Sequence, residues 1–349
     1  TRDFFLLPAD AKREADASRR AFAGDTASDH VASARAYEDW RTIRFTKGPD
    51  AARAFCRERF LSHDALERVA ETRRQLRSLL ETAGFVRRER SLRTSVSGKD
   101  ALDVAVFRAV ACAGLFPKIA AVSKRGRRGV LARTHEDGRV EFHPGSVNSN
   151  SVQFPFPWVA YGEKVKTQAV YLRDTTCVPA CAVLLLGGEL ESPPKKNENT
   201  DAGKADEKKA VVSAGDEKDP SRFDSAGTPM NPTSGSSASN DSVGVLNGAY
   251  VFSAPTRTLD AIKRLRTVFD ATLRLKAENP NLDVAVCCSA LVSAVRALME
   301  DEAKAAPKPL RAPEDWACPR GCGVVFASKK RCFRCGTAKP EEDARERDG

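Results

Sequence analysis

The chain has 349 residues, with 57 Lys and Arg against 47 Asp and Glu, a formal net charge of +10 and a pI near 9.2. That length accommodates roughly two or three domains. The positive balance points to a polyanionic partner such as nucleic acid, or to a basic solvated surface. No apolar run approaches the ~18 residues of a membrane helix. The opening Thr1-Arg-Asp-Phe-Phe-Leu-Leu-Pro8 lacks a signal-peptide pattern. The cysteines outside one C-terminal cluster are scattered, as in a reducing compartment, cytoplasmic or nuclear. The chain begins at Thr rather than Met and is expected to be a piece of something longer.

Residues 1–95 read as helices. Over 29–45, Val31, Ala34, Tyr37, Trp40 and Ile43 recur at helical spacing. Ser62 suits an N-cap, with Asp64 at the positive helix end. Leu66, Val69, Leu76, Leu79 and Leu80 then form one apolar stripe that Gly84 ends. A further helix is expected over 99–114. Short β-rich runs follow at 118–122, 129–134, 140–143, 158–161, 168–172 and 181–186, a spacing that suggests a small barrel or sandwich. Residues 192–243 are poor in large apolar side chains and are expected to be disordered. A strand at 248–253 resumes the barrel, and two helices follow at 258–278 and 283–303.

The C-terminal Cys318, Cys322, Cys332 and Cys335 come in two pairs, each followed by glycine, Gly323 and Gly336. Such turns bring thiolates together on one ion, and a four-sulfur tetrahedral shell suits zinc. So short a segment buries no core of its own, so the metal would supply its folding energy. Disulfides or unrelated thiols are the alternatives. Cys177 and Cys181 look like half a metal site but lack a partner pair, and Cys287 and Cys288 read as helix filler.

The block 29–188 resembles the C-terminal part of DEAH-box RNA helicases. The motifs that carry the resemblance are Ser28-Asp-His30, Ala54-Phe-Cys-Arg-Glu-Arg-Phe-Leu-Ser62, Ala111-Cys-Ala-Gly-Leu-Phe-Pro117 and Phe142-His-Pro-Gly-Ser-Val-Asn148. Trp158-Val-Ala-Tyr-Gly-Glu-Lys-Val-Lys-Thr167, Tyr171-Leu-Arg-Asp174 and Leu185-Leu-Gly-Gly188 continue them in order. The resemblance implies the end of a helicase-associated (ratchet) domain followed by an OB-fold barrel, with RNA as partner. It departs from the family at Gly145, where serine is common. No G-x-x-x-x-G-K-[ST] loop or Asp-Glu-x-His box occurs, so the chain is not expected to hydrolyse ATP alone.

By resemblance, His143, Ser146 and Asn148 in one turn, and Lys164, Lys166 and Thr167 on one strand, face RNA backbone. His143-Pro144 also reads as a rigid turn. Arg125, Arg127 and Arg128 form a basic loop that is either a phosphate contact or a solvated hairpin tip. Arg73, Arg74 and Arg77 read as a solvated helix face.

The cysteine segment resembles the Ran-binding-protein-type zinc finger, with Trp316 and Phe326 in its aromatic places. RNA-binding members read guanine with asparagine, an aromatic and two arginines. The matching positions here are Val325, Phe326, Ser328 and Lys329, which keep stacking and lose most bidentate reading. Gly323-Val324 replaces the Thr-Phe pair of ubiquitin binders and argues against ubiquitin. Arg320, Lys329, Lys330, Arg331 and Arg334 add positive charge.

The expected whole is a multidomain α+β chain. A helical ratchet segment fills 1–114, and an OB-fold β-barrel fills 115–191 plus 244–256, with the disordered insertion at 192–243. A helical extension at 257–304, a linker at 305–313, the small four-cysteine zinc finger at 314–340 and an acidic tail at 341–349 complete it. The expected role is RNA binding and strand guidance for a helicase core lying N-terminal to the chain. A stand-alone RNA-binding adaptor, or a module docking on a helicase, are the alternatives.

Overall fold

The computed structural model describes residues 3–86, 102–124, 130–191, 241–246, 250–311, 316–327 and 329–339. The N-terminal part is helical: α1 (Lys12–Ala23), α2 (Asp29–Lys47), α3 (Pro49–Glu58) and α4 (His63–Thr82). The starts of α2, α3 and α4 are chemically marked. Ser28 Oγ accepts from Val31 N at 3.0 Å, Pro49 opens α3, and Ser62 Oγ accepts from Ala65 N at 3.3 Å. Trp40 and Leu66 are fully buried at the centre of this cluster, with Phe22, Ala36 and Cys56.

The expected α4 stripe is only half a core. Leu66 is buried, but Leu76, Leu79 and Leu80 are 57%, 65% and 47% exposed. The second half of α4 buries none of its residues, so helical periodicity persists where none of the described residues covers it.

Helix α5 (Val104–Leu115) starts at Asp103, whose carboxylate accepts from Ala105 N and Val106 N. Strands β1 (Ile119–Lys124), β2 (Val130–Thr134), β3 (Gly138–Phe142), β5 (Trp158–Lys166) and β6 (Val170–Val178) form a closed barrel in the order β1-β2-β3-β6-β5. Four pairings are antiparallel, whereas β3 and β6 run parallel. Between β3 and β5 lies the short β4 (Ser151–Gln153). Ala120, Ala132, Val140, Tyr161 and Leu172 fill one end of the barrel.

The run 181–186 is a helix, not a strand: α6 (Ala180–Leu186). A short apolar run has no periodicity to tell the two apart. Glu302 accepts from Ala180 N and Cys181 N at 2.7 and 3.0 Å and so caps its start, while Arg266 donates to the carbonyls of Leu184, Gly187 and Gly188 at its end. A Cβ at Gly187 would collide with the Val183 carbonyl, which explains the glycine.

The strand expected to finish the barrel lies outside it. β9 (Tyr250–Pro255) pairs with β8 (Asp241–Leu246), which pairs with β7 (Leu190–Glu191) in a separate three-stranded sheet. The barrel is already closed by β1 and β5, so no edge was left for it. Residues 241–243 are therefore strand rather than part of an unstructured insertion, and 192–240 lie outside the described residues.

Helices α7 (Thr256–Glu278), α8 (Val284–Cys287) and α9 (Ser289–Ala305) follow, with Cys288 breaking the single helix expected over 283–303. Ile262, Met299, Leu246 and Phe252 pack them towards α6 and Trp158. The chain then forms β10 (Leu310–Arg311), paired with β4, and a small unit with β11 (Trp316–Ala317) and β12 (Val324–Val325).

Candidate nucleic-acid interface and metal centre

The helical cluster and the barrel meet at a buried carboxylate. Asp29, 1% exposed, sits in the first turn of α2. Its Oδ2 accepts from Ser146 Oγ at 2.6 Å, Thr175 N at 2.9 Å and Thr175 Oγ1 at 3.0 Å, and its Oδ1 accepts from Val147 N at 2.8 Å. Asn148 Nδ2 donates to Ala27 O and Thr175 Oγ1. Ser28 Oγ and His30 Nδ1 both meet Thr176 Oγ1 at 2.7 Å. A buried charge demands this degree of hydrogen bonding.

The network corrects two expectations. Ser146 and Asn148 are 7% and 1% exposed, and their side chains are spent on Asp29, Ala27 and Thr175. They hold the turn; they offer no surface to a strand. His143 lies at the rim of the same turn. Its Nδ1 accepts from Gly145 N at 3.1 Å, and its ring stands edge-on to Tyr171 at 6.3 Å. Burial, with Arg173 and Arg19 nearby, holds the imidazole below its usual range. A Cβ at Gly145 would press to 3.3 Å from that ring nitrogen, so glycine suits this turn.

Lys164 and Lys166 part company. Lys164 stands opposite Leu172 across β5 and β6, so it shares the inward face, at the barrel mouth. There it donates to Glu136 and, at 2.6 Å, to Asp137 in the β2–β3 turn. Those two bonds hold its ammonium well above the usual lysine range and hold Asp137 below the usual carboxylate range. Two carboxylates already compensate this lysine. Lys166 and Thr167 are exposed at the β5–β6 hairpin, where Thr167 N donates to Ala169 O. Arg125, Arg127 and Arg128 lie outside the described residues.

In the C-terminal unit the sulfurs of Cys318, Cys322, Cys332 and Cys335 all lie within 4.8 Å of one another, with Cys318 and Cys335 at 3.4 Å. A tetrahedral zinc with bonds of about 2.3 Å requires sulfurs roughly 3.8 Å apart, so the four thiols fit one ion. The turns are built for it. Gly321 N and Gly336 N donate to the carbonyls of Cys318 and Cys332, and Gly321, Gly323 and Gly336 take φ of 71°, 107° and 71°, where a side chain is strained. Trp316 is buried against Val325 and donates from Nε1 to Lys329 O at 2.9 Å, fixing the intervening loop.

That loop presents Phe326, 67% exposed, beside exposed Lys329 and Lys330. Ser328 is outside the described residues. Sequence reading missed Phe333, which is 66% exposed and carries the Arg334 guanidinium 5.8 Å from its ring centroid. Its position inside the Cys332–Cys335 pair was the available signal. Side chains between two ligands cannot also enter the metal shell, and an aromatic there is left facing out. Arg334 also donates to Cys322 O at 3.2 Å.

Parts of the chain match known families. Residues 107–190 match the family model described as the oligonucleotide/oligosaccharide-binding (OB)-fold, and residues 243–301 match that of the C-terminal domain in RNA helicases. The chain is similar to the C-terminal regions of DExH-box RNA helicases. It is 33% identical over 298 residues to the DExH-box ATP-dependent RNA helicase DExH1 of Arabidopsis thaliana, covering 85% of this chain and 25% of that protein. It is 36% identical over 194 residues to Arabidopsis thaliana DExH3, covering 55% of this chain and 15% of the relative. It is 28% identical over 314 residues to the ATP-dependent DNA/RNA helicase DHX36 of Homo sapiens, covering 88% and 27%. The chain thus spans about a quarter or less of the length of these relatives. The second match spans β9, α7, α8 and most of α9. Among the described residues no helix is long and apolar enough to cross a membrane.

Proposed function

We propose that the chain is the RNA-binding C-terminal accessory region of a DExH-box RNA helicase. In this reading it guides single-stranded RNA for a helicase core on the same parent protein and hydrolyses no ATP by itself. The observation that carries it is the pairing of an OB barrel with a helicase C-terminal domain, matched together along most of the chain by helicase relatives. OB barrels hold single strands with positive charge and stacking side chains. Here the exposed Lys166 and Thr167 and the half-buried His143 rim would supply backbone contacts, with Arg125, Arg127 and Arg128 as further phosphate partners.

The C-terminal unit is a zinc finger of the Ran-binding-protein type, with Cys318, Cys322, Cys332 and Cys335 as ligands of one zinc. The ion holds the knuckles together; the chain's own side chains do the recognition. Phe326 stacks on a base while Lys329 and Arg334 meet phosphates, with weak sequence preference because the guanine-reading arginines are absent. The proposed setting is cytoplasmic or nuclear.

A protein-docking role for α4 has its own observation in exposed Leu76, Leu79 and Leu80. The helicase core of the parent protein is the proposed partner there.

Binding of the chain to unstructured single-stranded RNA across a salt series tests the function. Affinity is expected to fall steeply with salt, and Phe326→Ala to cost about 1–3 kcal/mol. Absence of RNA binding at low salt overturns the reading.

A further inference from the structure

The segment between the last helix and the finger is pinned at several points to the barrel and to α6 and β4 beside it. Glu302, one turn from the end of α9, accepts from the backbone of Ala180 and Cys181. Ala303 and Ala306 pack against the cluster of Phe154, Phe156 and Val159 at the barrel. Gln153 Nε2 then donates to Lys308 O at 3.0 Å. Leu310 and Arg311 finish the run as β10, in antiparallel register with Gln153 and Ser151 of β4. A free linker makes none of these contacts.

We propose that this run is a strap that holds the finger beside the barrel's His143 rim, so that finger and barrel take one and the same RNA strand as a composite site. The inference rests on the RNA-binding reading above. Ser151, the partner of Arg311, lies three residues after Asn148 in the chain. Only residues 312–315 separate Arg311 from Trp316, the first core residue of the finger. A chain advances at most about 3.6 Å per residue, so Trp316 lies within about 18 Å of Arg311. The finger therefore cannot leave the neighbourhood of the β4 edge.

That tether has an energetic consequence. A strand held by the barrel presents its next nucleotides to Phe326 and Phe333 at high effective concentration. The second contact then adds avidity without new surface on either unit. Two exposed aromatics and the basic residues Lys329, Lys330, Arg331 and Arg334 give the finger the chemistry to take that strand.

The test uses the full chain and two fluorescent oligouridines. One of about 6 nucleotides fills a single OB-type site, and one of about 20 nucleotides reaches past it. Wild type is expected to bind the longer strand much more tightly than the shorter. Inserting about twenty Gly and Ser residues between Arg311 and Ala312 should remove roughly tenfold of that advantage, following the −3/2 power of tether length. Affinity for the short strand should be unchanged. Leu310→Pro, which deletes a strand N–H while leaving barrel and finger sequences intact, should lose the same advantage and speed amide exchange over 308–311. Full retention of the long-strand advantage in the insertion variant overturns the composite site while RNA binding itself stands. Retention in Leu310→Pro alone, with exchange accelerated, overturns the strap and leaves only proximity. Failure of wild type to bind either strand overturns the functional reading instead.

Discussion

Asp29 is the residue on which the joint between helices and barrel depends, because its four accepted bonds come from three barrel residues, Ser146, Val147 and Thr175. Asp29→Ala leaves buried donors unpaired and is expected to cost at least about 3 kcal/mol of unfolding free energy, measured by denaturant titration. Its neighbour His30 carries a pH signature. Burial pushes the imidazole pKa down from 6.5, against the opposing pull of Asp174 and Asp29. The unfolded chain then takes up the proton more readily, so stability is full above about pH 6.5 and falls as pH drops below it. Asp174 lies on the same seam with a carboxyl that burial raises. Its protonation favours the folded state at lower pH and so bounds the His30 window from below. His30→Gln should flatten the pH dependence of thermal unfolding between pH 7 and the folded histidine's lower pKa; an unchanged profile would remove His30 from the account. The same scale separates the two barrel lysines. Lys166→Ala should lower the salt slope of RNA binding by about 0.7, as expected for one phosphate on a single strand. Lys164→Ala instead frees Glu136 and Asp137, and should weaken binding through their exposed negative charge.

At the scale of elements, the pattern of residues was legible wherever burial enforced a period. The helix over Asp29–Lys47 and the five barrel strands announce themselves because one face of each is covered. The errors have physical causes. The apolar run in α6 is buried nearly all round and carries no period. β9 has the composition of a barrel strand, but composition does not say which edge is open. The outward-turned half of α4 kept its stripe without a cover. In the candidate site, the convergence of the four cysteines was readable because they and the turn glycines are local in sequence. The burial of Ser146 and Asn148 was not, since their partners Asp29 and Ala27 lie over a hundred residues away. The finger yields a further prediction: purified protein should carry about one zinc equivalent, and Cys332→Ser should lose the metal and unfold the unit. Elemental analysis with exchange of the Trp316 indole N–H, now bonded to Lys329 O, reads both. A metal-free protein that keeps that N–H protected would refute it.

For the whole molecule, the described units do not hang as separate beads. Arg108 reaches from α5 to the Thr26 carbonyl and lies over the Phe156 ring, Glu302 joins α9 to α6, and β10 joins the C-terminal run to β4. Helical cluster and barrel should accordingly melt in one transition by calorimetry, with the finger distinguished by its response to chelator. The buried seam also sets a timetable during synthesis. The side chains and amides that satisfy Asp29 arrive 117 to 146 residues later in the chain. At about 5–20 residues per second, α2 waits roughly 6–30 s on the ribosome with its carboxylate still hydrated. Until Thr175 emerges, the N-terminal helices have no barrel to grip, and a nascent chain stalled in that interval is a helical bundle with an open, wettable end.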